Sequence, residues 1–231
     1  MLINQSKYEE ILGLLQQKGA TLVAVSKTKP VEAIRELYEL GQRDFGENYV
    51  QELTEKQALL PADIRWHFIG HLQTNKVKYI VPFVHLVHGV DSARLLQEIH
   101  KQAAKAGRVV DVLLQVHIAR EETKFGWDEA ELDDLLQSGA ETLKEWKNIR
   151  IKGLMGMASF TEDKGRVRNE FDTLKELFDK YKELFPEGAA SNVSFEILSM
   201  GMSGDYALAL EEGSNMVRIG SLIFGARKKA E

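Results

Sequence analysis

A chain of 231 residues with 44% hydrophobic content is long enough to bury one sizeable core. Its formal net charge of -5 excludes a global electrostatic attraction to nucleic acid or to an anionic membrane surface, so any anion site must be built locally. With no cysteine, disulfides, thiolate metal sites and cysteine nucleophiles are excluded, and a cytoplasmic location is expected.

The first segment, residues 3–19, spaces charged and apolar residues as a helix does and lacks the apolar stretch of a signal peptide. No run approaches membrane-spanning length, so no membrane partner is expected. From there, short β-branched or aromatic runs alternate with amphipathic stretches, the pattern of βα units feeding a parallel sheet. Eight such runs follow: TLVAVSK (21–27), RDFGEN (43–48), RWHFIG (65–70), HLVHGVD (85–91), VVDVLLQVHI (109–118), IRIKGLMGM (149–157), SFEILSM (194–200) and MVRIGSLIFG (216–225). Among the intervening segments, PVEAIRELYELG places Pro30 in a first helical turn and SARLLQEIHKQAAKAG offers Ser92 as an N-cap. GRVRNEFDTLKELFDKYKELF is the longest predicted helix.

Eight strands in this length match a single (β/α)8 TIM-type barrel, for which about 250 residues is typical. One α/β domain over residues 1–231 is therefore expected, with the extra N-terminal helix covering the gap after the eighth strand, where only ARKKAE follows. An open doubly wound sheet is the alternative. Against it, AVSKTKP stands after the first strand where a glycine-rich dinucleotide turn would be needed.

Functional groups of a β/α barrel lie at the C-terminal strand ends. Lys27 closes the first strand there, where a desolvated mouth with other cations nearby would lower its pKa and suit Schiff-base formation. Lys29 in the same turn competes for that role, and a solvated loop lysine is the plain alternative. SMGMSGD and RIGSLIFG end strands seven and eight, where barrels often bind phosphate. Ser199, Gly201, Ser203 and Gly204 can offer hydroxyls and close backbone N–H groups, with Ser203 placed to cap a helix through YALALEE, and Gly220 and Ser221 can close the other side. Two ordinary turns would have the same composition. Arg218 lies two residues before Gly220 and so points to the same side of the strand; buried there, it needs a cofactor ring, a substrate carboxylate or an acid as partner.

The six histidines show no metal-ligand spacing, and no metal site is expected; His67 and His71 read as polar residues of the mouth or core. Asn48 and Tyr49 follow the second strand and either line the mouth or, for Asn48, cap the next helix.

Six segments, AVSKTKP, FGENYVQE, WHFIGHLQTNK, GLMGMASF, LSMGMSGD and MVRIGSLIFGAR, in this order across nearly the whole chain, together resemble the YggS/PROSC-type pyridoxal phosphate homeostasis proteins. The resemblance implies a barrel like the N-terminal domain of alanine racemase, of the type III fold of pyridoxal phosphate enzymes, with the cofactor in the mouth. It implies that Lys27 forms the Schiff base, with Lys29 a bystander. It implies that Ser199, Gly201, Gly220 and Ser221 cradle the phosphate, that Arg218 faces the pyridine nitrogen, and that Asn48 contacts the ring or mouth. After strand five, HIAREETKFG departs from the family pattern, with His117 in place of an asparagine and Ala119 in place of a serine, while Lys124 and Gly126 are kept.

A cation facing the pyridine nitrogen disfavours its protonation and weakens the ring as an electron sink. Alanine racemases use a similar arginine but add a β-rich domain with a catalytic tyrosine, for which this chain shows no counterpart unless Tyr206 serves. The resemblance thus implies a monomeric pyridoxal phosphate carrier, without catalytic turnover, that supports vitamin B6 and amino and keto acid homeostasis. Apo forms of pyridoxal phosphate enzymes would be its acceptors. An amino acid racemase or a Schiff-base barrel aldolase are the enzymatic alternatives.

Overall fold

The computed structural model describes residues 2–119, 125–186 and 192–226. Its eight strands are β1 Thr21–Val25, β2 Asp44–Glu47, β3 Arg65–Phe68, β4 Leu86–Val90, β5 Val110–Val116, β6 Ile149–Gly156, β7 Val193–Met202 and β8 Met216–Ile219. Every strand pairs in parallel with the next, and β1 pairs with β8 through Leu22 against Val217 and Val23 against Arg218. The sheet is therefore a closed barrel, which removes the doubly wound alternative.

The helices are α1 Gln5–Lys18, α2 Val31–Glu39, α3 Val50–Leu59, α4 Val77–Ile80, α5 Ala93–Lys105, α6 Glu129–Asp133, α7 Ala140–Glu145, α8 Lys164–Leu184, α9 Tyr206–Glu211 and α10 Ser221–Phe224. Capping follows the sequence at α5, where the Ser92 hydroxyl accepts from the Leu95 amide. Pro30 stands immediately before α2 in extended backbone, so α2 begins one residue later than expected. The N-terminal helix α1 buries Tyr8, Ile11 and Leu15 and packs on α10, with the Asn4 amide donating to the Ile223 carbonyl at 2.7 Å. It covers the barrel beside β8 as the sequence suggested.

The eighth run does not stay extended to residue 225. Strand β8 stops at Ile219, Gly220 leaves the strand with φ −123° and ψ −68°, and SLIF winds into α10. Gly220 passes close to β1 at this point, where a Cβ would stand 3.0 Å from the Val25 carbonyl oxygen, so glycine permits the approach. Strand β7, by contrast, runs two residues beyond its predicted end. No described helix is long and apolar enough to cross a membrane.

Candidate functional site

The turn after β1 is held from below by buried charge. Lys56, from α3, donates to the Ser26 carbonyl, to Glu47 Oε1 and to Glu52 Oε1, each at 2.7 Å. Ser26 donates its hydroxyl to the same Glu47 oxygen at 2.6 Å, and Glu52 accepts the Thr28 amide at 2.6 Å. This cluster fixes Thr28 at φ 62°, a left-handed conformation that a β-branched residue adopts only under constraint. Burial raises the Glu47 carboxyl above the usual carboxylate range, opposed by Lys56. The result is a rigid turn presenting Lys27 to the barrel mouth.

Lys27 lines a cavity of about 630 Å³ at that mouth, together with Asn48, Arg218, Ser203, Gly220 and Ser221. The volume falls in the range of small-molecule sites. Lys29 reaches the same cavity, but its ammonium donates to the carbonyls of Phe224, Gly225 and Ala226 at 2.8, 2.9 and 3.2 Å. It caps the C-terminal end of α10, where a cation is favourable. Asn48 precedes α3 without capping it, since Tyr49 holds the cap position with no side-chain bond. Among the described residues, the buried Asn48 Oδ1 has no hydrogen-bond partner. Tyr49 is largely exposed and lines an adjacent groove instead.

Arg218 is 4% exposed and points inward, as strand alternation required. Its partners are neutral: Nη1 donates to the Ser199 carbonyl and hydroxyl, and Nη2 to the Gly156 carbonyl at 3.0 Å. Burial lowers its pKa to about 10, so the guanidinium keeps its charge at neutral pH.

The predicted phosphate segment divides in two. Gly220 and Ser221 border the cavity with Ser203 and Gly204. Ser199 lies deeper and fully buried, its hydroxyl engaged by Arg218 at 2.6 Å and His88 at 3.0 Å. Gly201 has φ 96°, and a Cβ there would stand 2.6 Å from the Ala209 Cβ, so its role is to let α9 pack on β7. Ser203 does not cap α9. Asp205 takes that position, and the Ser203 hydroxyl instead accepts the Gly220 amide at 3.3 Å, tying the two loops together.

His67, read as a polar residue of the mouth or core, and His88 form a buried pair that spacing alone did not reveal. His67 sits inside the barrel between Asp44 and His88. Asp44, His67 and His85 bring three potential ligand atoms together. Both Asp44 oxygens, however, are already paired with Arg65. His71 lies outside this group, bonded to Asp91 and stacked on Phe125. In the loop after β5, the His117 amide donates to the Trp127 carbonyl, and Gly126 at φ 145° permits the close crossing. Ala119 is buried, and Lys124 lies outside the described residues.

Comparison with known proteins agrees with this fold. The family model for the N-terminal domain of alanine racemase matches residues 5–228. A pyridoxal phosphate homeostasis protein of Aquifex aeolicus is 44% identical over 210 residues, covering 90% of this chain and 88% of the relative. The structure of PipY from Synechococcus elongatus with pyridoxal phosphate bound superposes with a TM-score of 0.82 at 35% identity, covering 95% of this chain and 100% of PipY. An alanine racemase from Streptomyces lavendulae shares the fold at 18% identity and a TM-score of 0.70, and this chain spans only 54% of it. With its family model matched almost end to end and its curated relatives covered at this identity, the chain belongs to the alanine racemase N-terminal domain family and, within it, to the pyridoxal phosphate homeostasis proteins.

Proposed function

We propose that this chain binds pyridoxal 5'-phosphate in the barrel mouth, linked covalently to Lys27, and holds it for intracellular vitamin B6 and amino and keto acid homeostasis without turnover of its own. The observation that carries this reading is the meeting, around one cavity, of a lysine on a rigid turn, a buried arginine, an unpartnered amide oxygen and a serine and glycine rim. When bound, the cofactor supplies an aldehyde that condenses reversibly with amines.

Lys27, which follows β1 and lines the cavity, is the amine for that linkage, while Lys29 closes α10. Ser203, Gly204, Gly220 and Ser221 bind the phosphate with hydroxyl and backbone donors. Ser199 acts through Arg218, and Gly201 through the packing of α9. Arg218 donates to the ring nitrogen and, being a fixed cation, keeps a proton off it. Asn48 Oδ1 accepts from a polar group on the ring edge.

Racemisation needs a second proton-transfer group opposite Lys27. Tyr206 is not among the residues lining the cavity. Among those that do, Asp205 is the carboxylate, and it accepts the Met202 amide at 2.6 Å. We further propose a cytoplasmic monomer that can pass the cofactor to apo enzymes.

The test combines equilibrium dialysis against pyridoxal phosphate with α-proton exchange of a panel of L-amino acids in deuterated buffer. Stoichiometric binding without Lys27-dependent exchange is the expected result. Exchange abolished by Lys27→Ala would establish the racemase reading in its place.

A further inference from the structure

The barrel interior is packed with Val23, Leu86, Leu113 and Met155. A continuous line of polar side chains nevertheless crosses it. At the face opposite the mouth, Arg65 pairs with Asp44. Asp44 Oδ1 lies 2.9 Å from His67 Nε2, and His67 Nδ1 lies 2.9 Å from His88 Nε2. His88 Nδ1 lies 3.0 Å from Ser199 Oγ, which accepts from Arg218 Nη1 at 2.6 Å. His67, His88 and Ser199 are at most 1% exposed.

The ends fix the outer bonds, and the Ser199 hydroxyl selects the sense of the rest. Arg218 can only donate, and an ionised Asp44 can only accept. Arg65 and His67 hold the Asp44 carboxyl well below the usual carboxylate range against its burial. His88 is neutral, because burial first, then the proximity of His67, Arg218 and His85, holds its imidazole well below the ordinary range. Ser199 accepts from Arg218, so its own hydrogen goes to His88 Nδ1. His88 then donates from Nε2 to His67 Nδ1, and His67 donates from Nε2 to Asp44. Reversing the line would put a hydrogen on His88 Nδ1; the Ser199 hydroxyl could accept from both donors, but its own hydrogen would have no acceptor among these partners in a fully buried site, at the desolvation cost of an unmade bond.

Arg218 directs three of its N–H groups to Ser199 O, Ser199 Oγ and Gly156 O, leaving two of the five such groups of an arginine. We propose that Asp44, His67, His88 and Ser199 are positioning residues: a one-way hydrogen-bond chain, anchored at the far face of the barrel, that presents a Ser199 lone pair to Arg218 and so aims its remaining N–H groups at the ring nitrogen of a bound pyridoxal phosphate. The last step rests on the role proposed above for Arg218; the sense of the chain does not.

The two are tested separately. Histidine nitrogen NMR of the cofactor-free protein at pH 7.5 should show His88 as a neutral Nε2–H tautomer and a proton on His67 Nε2. Asp44→Asn keeps an acceptor oxygen but removes the charge, and should give His88 a second tautomer. With the cofactor present, the same variant should shift the visible absorbance of the bound chromophore and weaken binding about fivefold, the equivalent of one neutral hydrogen bond. His100→Gln, on α5 outside the barrel, should leave both readouts unchanged. If Asp44→Asn does not fold, Ser199→Ala cuts the chain at its other end and should give the same absorbance shift.

A charged His88, an Nδ1–H tautomer at His88, or Asp44→Asn indistinguishable from wild type would overturn the proposal. So would micromolar zinc displacing the His67 and His85 signals, which would make the cluster a metal site. The expected tautomers in a protein that binds no cofactor would leave the chain of bonds standing and remove its function.

Discussion

Arg218 and Ser199, on adjacent strands, are joined twice: one guanidinium nitrogen donates to both the carbonyl and the hydroxyl of the serine, at 2.8 and 2.6 Å. The cation is thus held by the strand that leads into the loop of Ser203, so Arg218 and that loop share one rigid support. Arg218→Ala leaves the Ser199 and Gly156 carbonyls without their donor in a dry interior. We expect a loss of about 2–4 kcal/mol, read as a fall in the urea midpoint. Arg218→Lys should recover only part of it, because an ammonium cannot reproduce the planar fork.

Lys56 neutralises Glu47 beneath the Lys27 turn, and both side chains are at most 6% exposed. Lys56→Met removes the partner and should cost about 3–5 kcal/mol near neutral pH. Burial already raises the Glu47 pKa, and losing Lys56 raises it further. A carboxyl raised in the folded state destabilises as pH rises through its unfolded value. The penalty should therefore be smaller at pH 5 than at pH 8 in paired urea titrations.

Thr28 carries backbone strain that glycine would not, while its amide bond to Glu52 is independent of the side chain. Thr28→Gly should raise stability by up to about 1 kcal/mol, the cost of a left-handed non-glycine residue. A decrease in thermal midpoint would show that the threonine side chain, and not the turn geometry, is what matters there.

The histidine chain predicts the acid limb of stability. His88 is held neutral in the fold but takes a proton when unfolded, so stability falls as pH drops below its ordinary value of 6.5. The slope for one such proton is about 1.4 kcal/mol per pH unit. Asp44 adds a second loss at lower pH, because its depressed carboxyl stabilises only while ionised, an effect fully present above its ordinary value of 3.8 and lost as pH falls further. Replacing His88 by glutamine should flatten the first phase between pH 6.5 and 5 and leave the second. An unchanged pH profile would assign the first phase elsewhere.

The barrel was legible because each strand is a short apolar run followed by a helix of different period, and closure followed from their number. The place of Lys27 at the barrel mouth was legible because it closes the first predicted strand. The break at Gly220 was not, since SLIF is as apolar as a strand. Ser203 read as a helix cap because local sequence cannot show that its hydroxyl is taken by Gly220, 17 positions away. The polar column was missed for the same reason: its members come from five strands, and each appears singly. A signal did exist. His67, His88, Ser199 and Arg218 all interrupt runs that are otherwise apolar, and inward polar positions on several strands of one barrel must find each other.

The most direct test of the central claim is borohydride reduction of the protein saturated with pyridoxal phosphate, followed by peptide mapping, with wild type beside Lys27→Ala. The account predicts one stable adduct in the wild type, on Lys27, and loss of that adduct in the variant. A wild type that yields no adduct, or one mapped to Lys29, would contradict it.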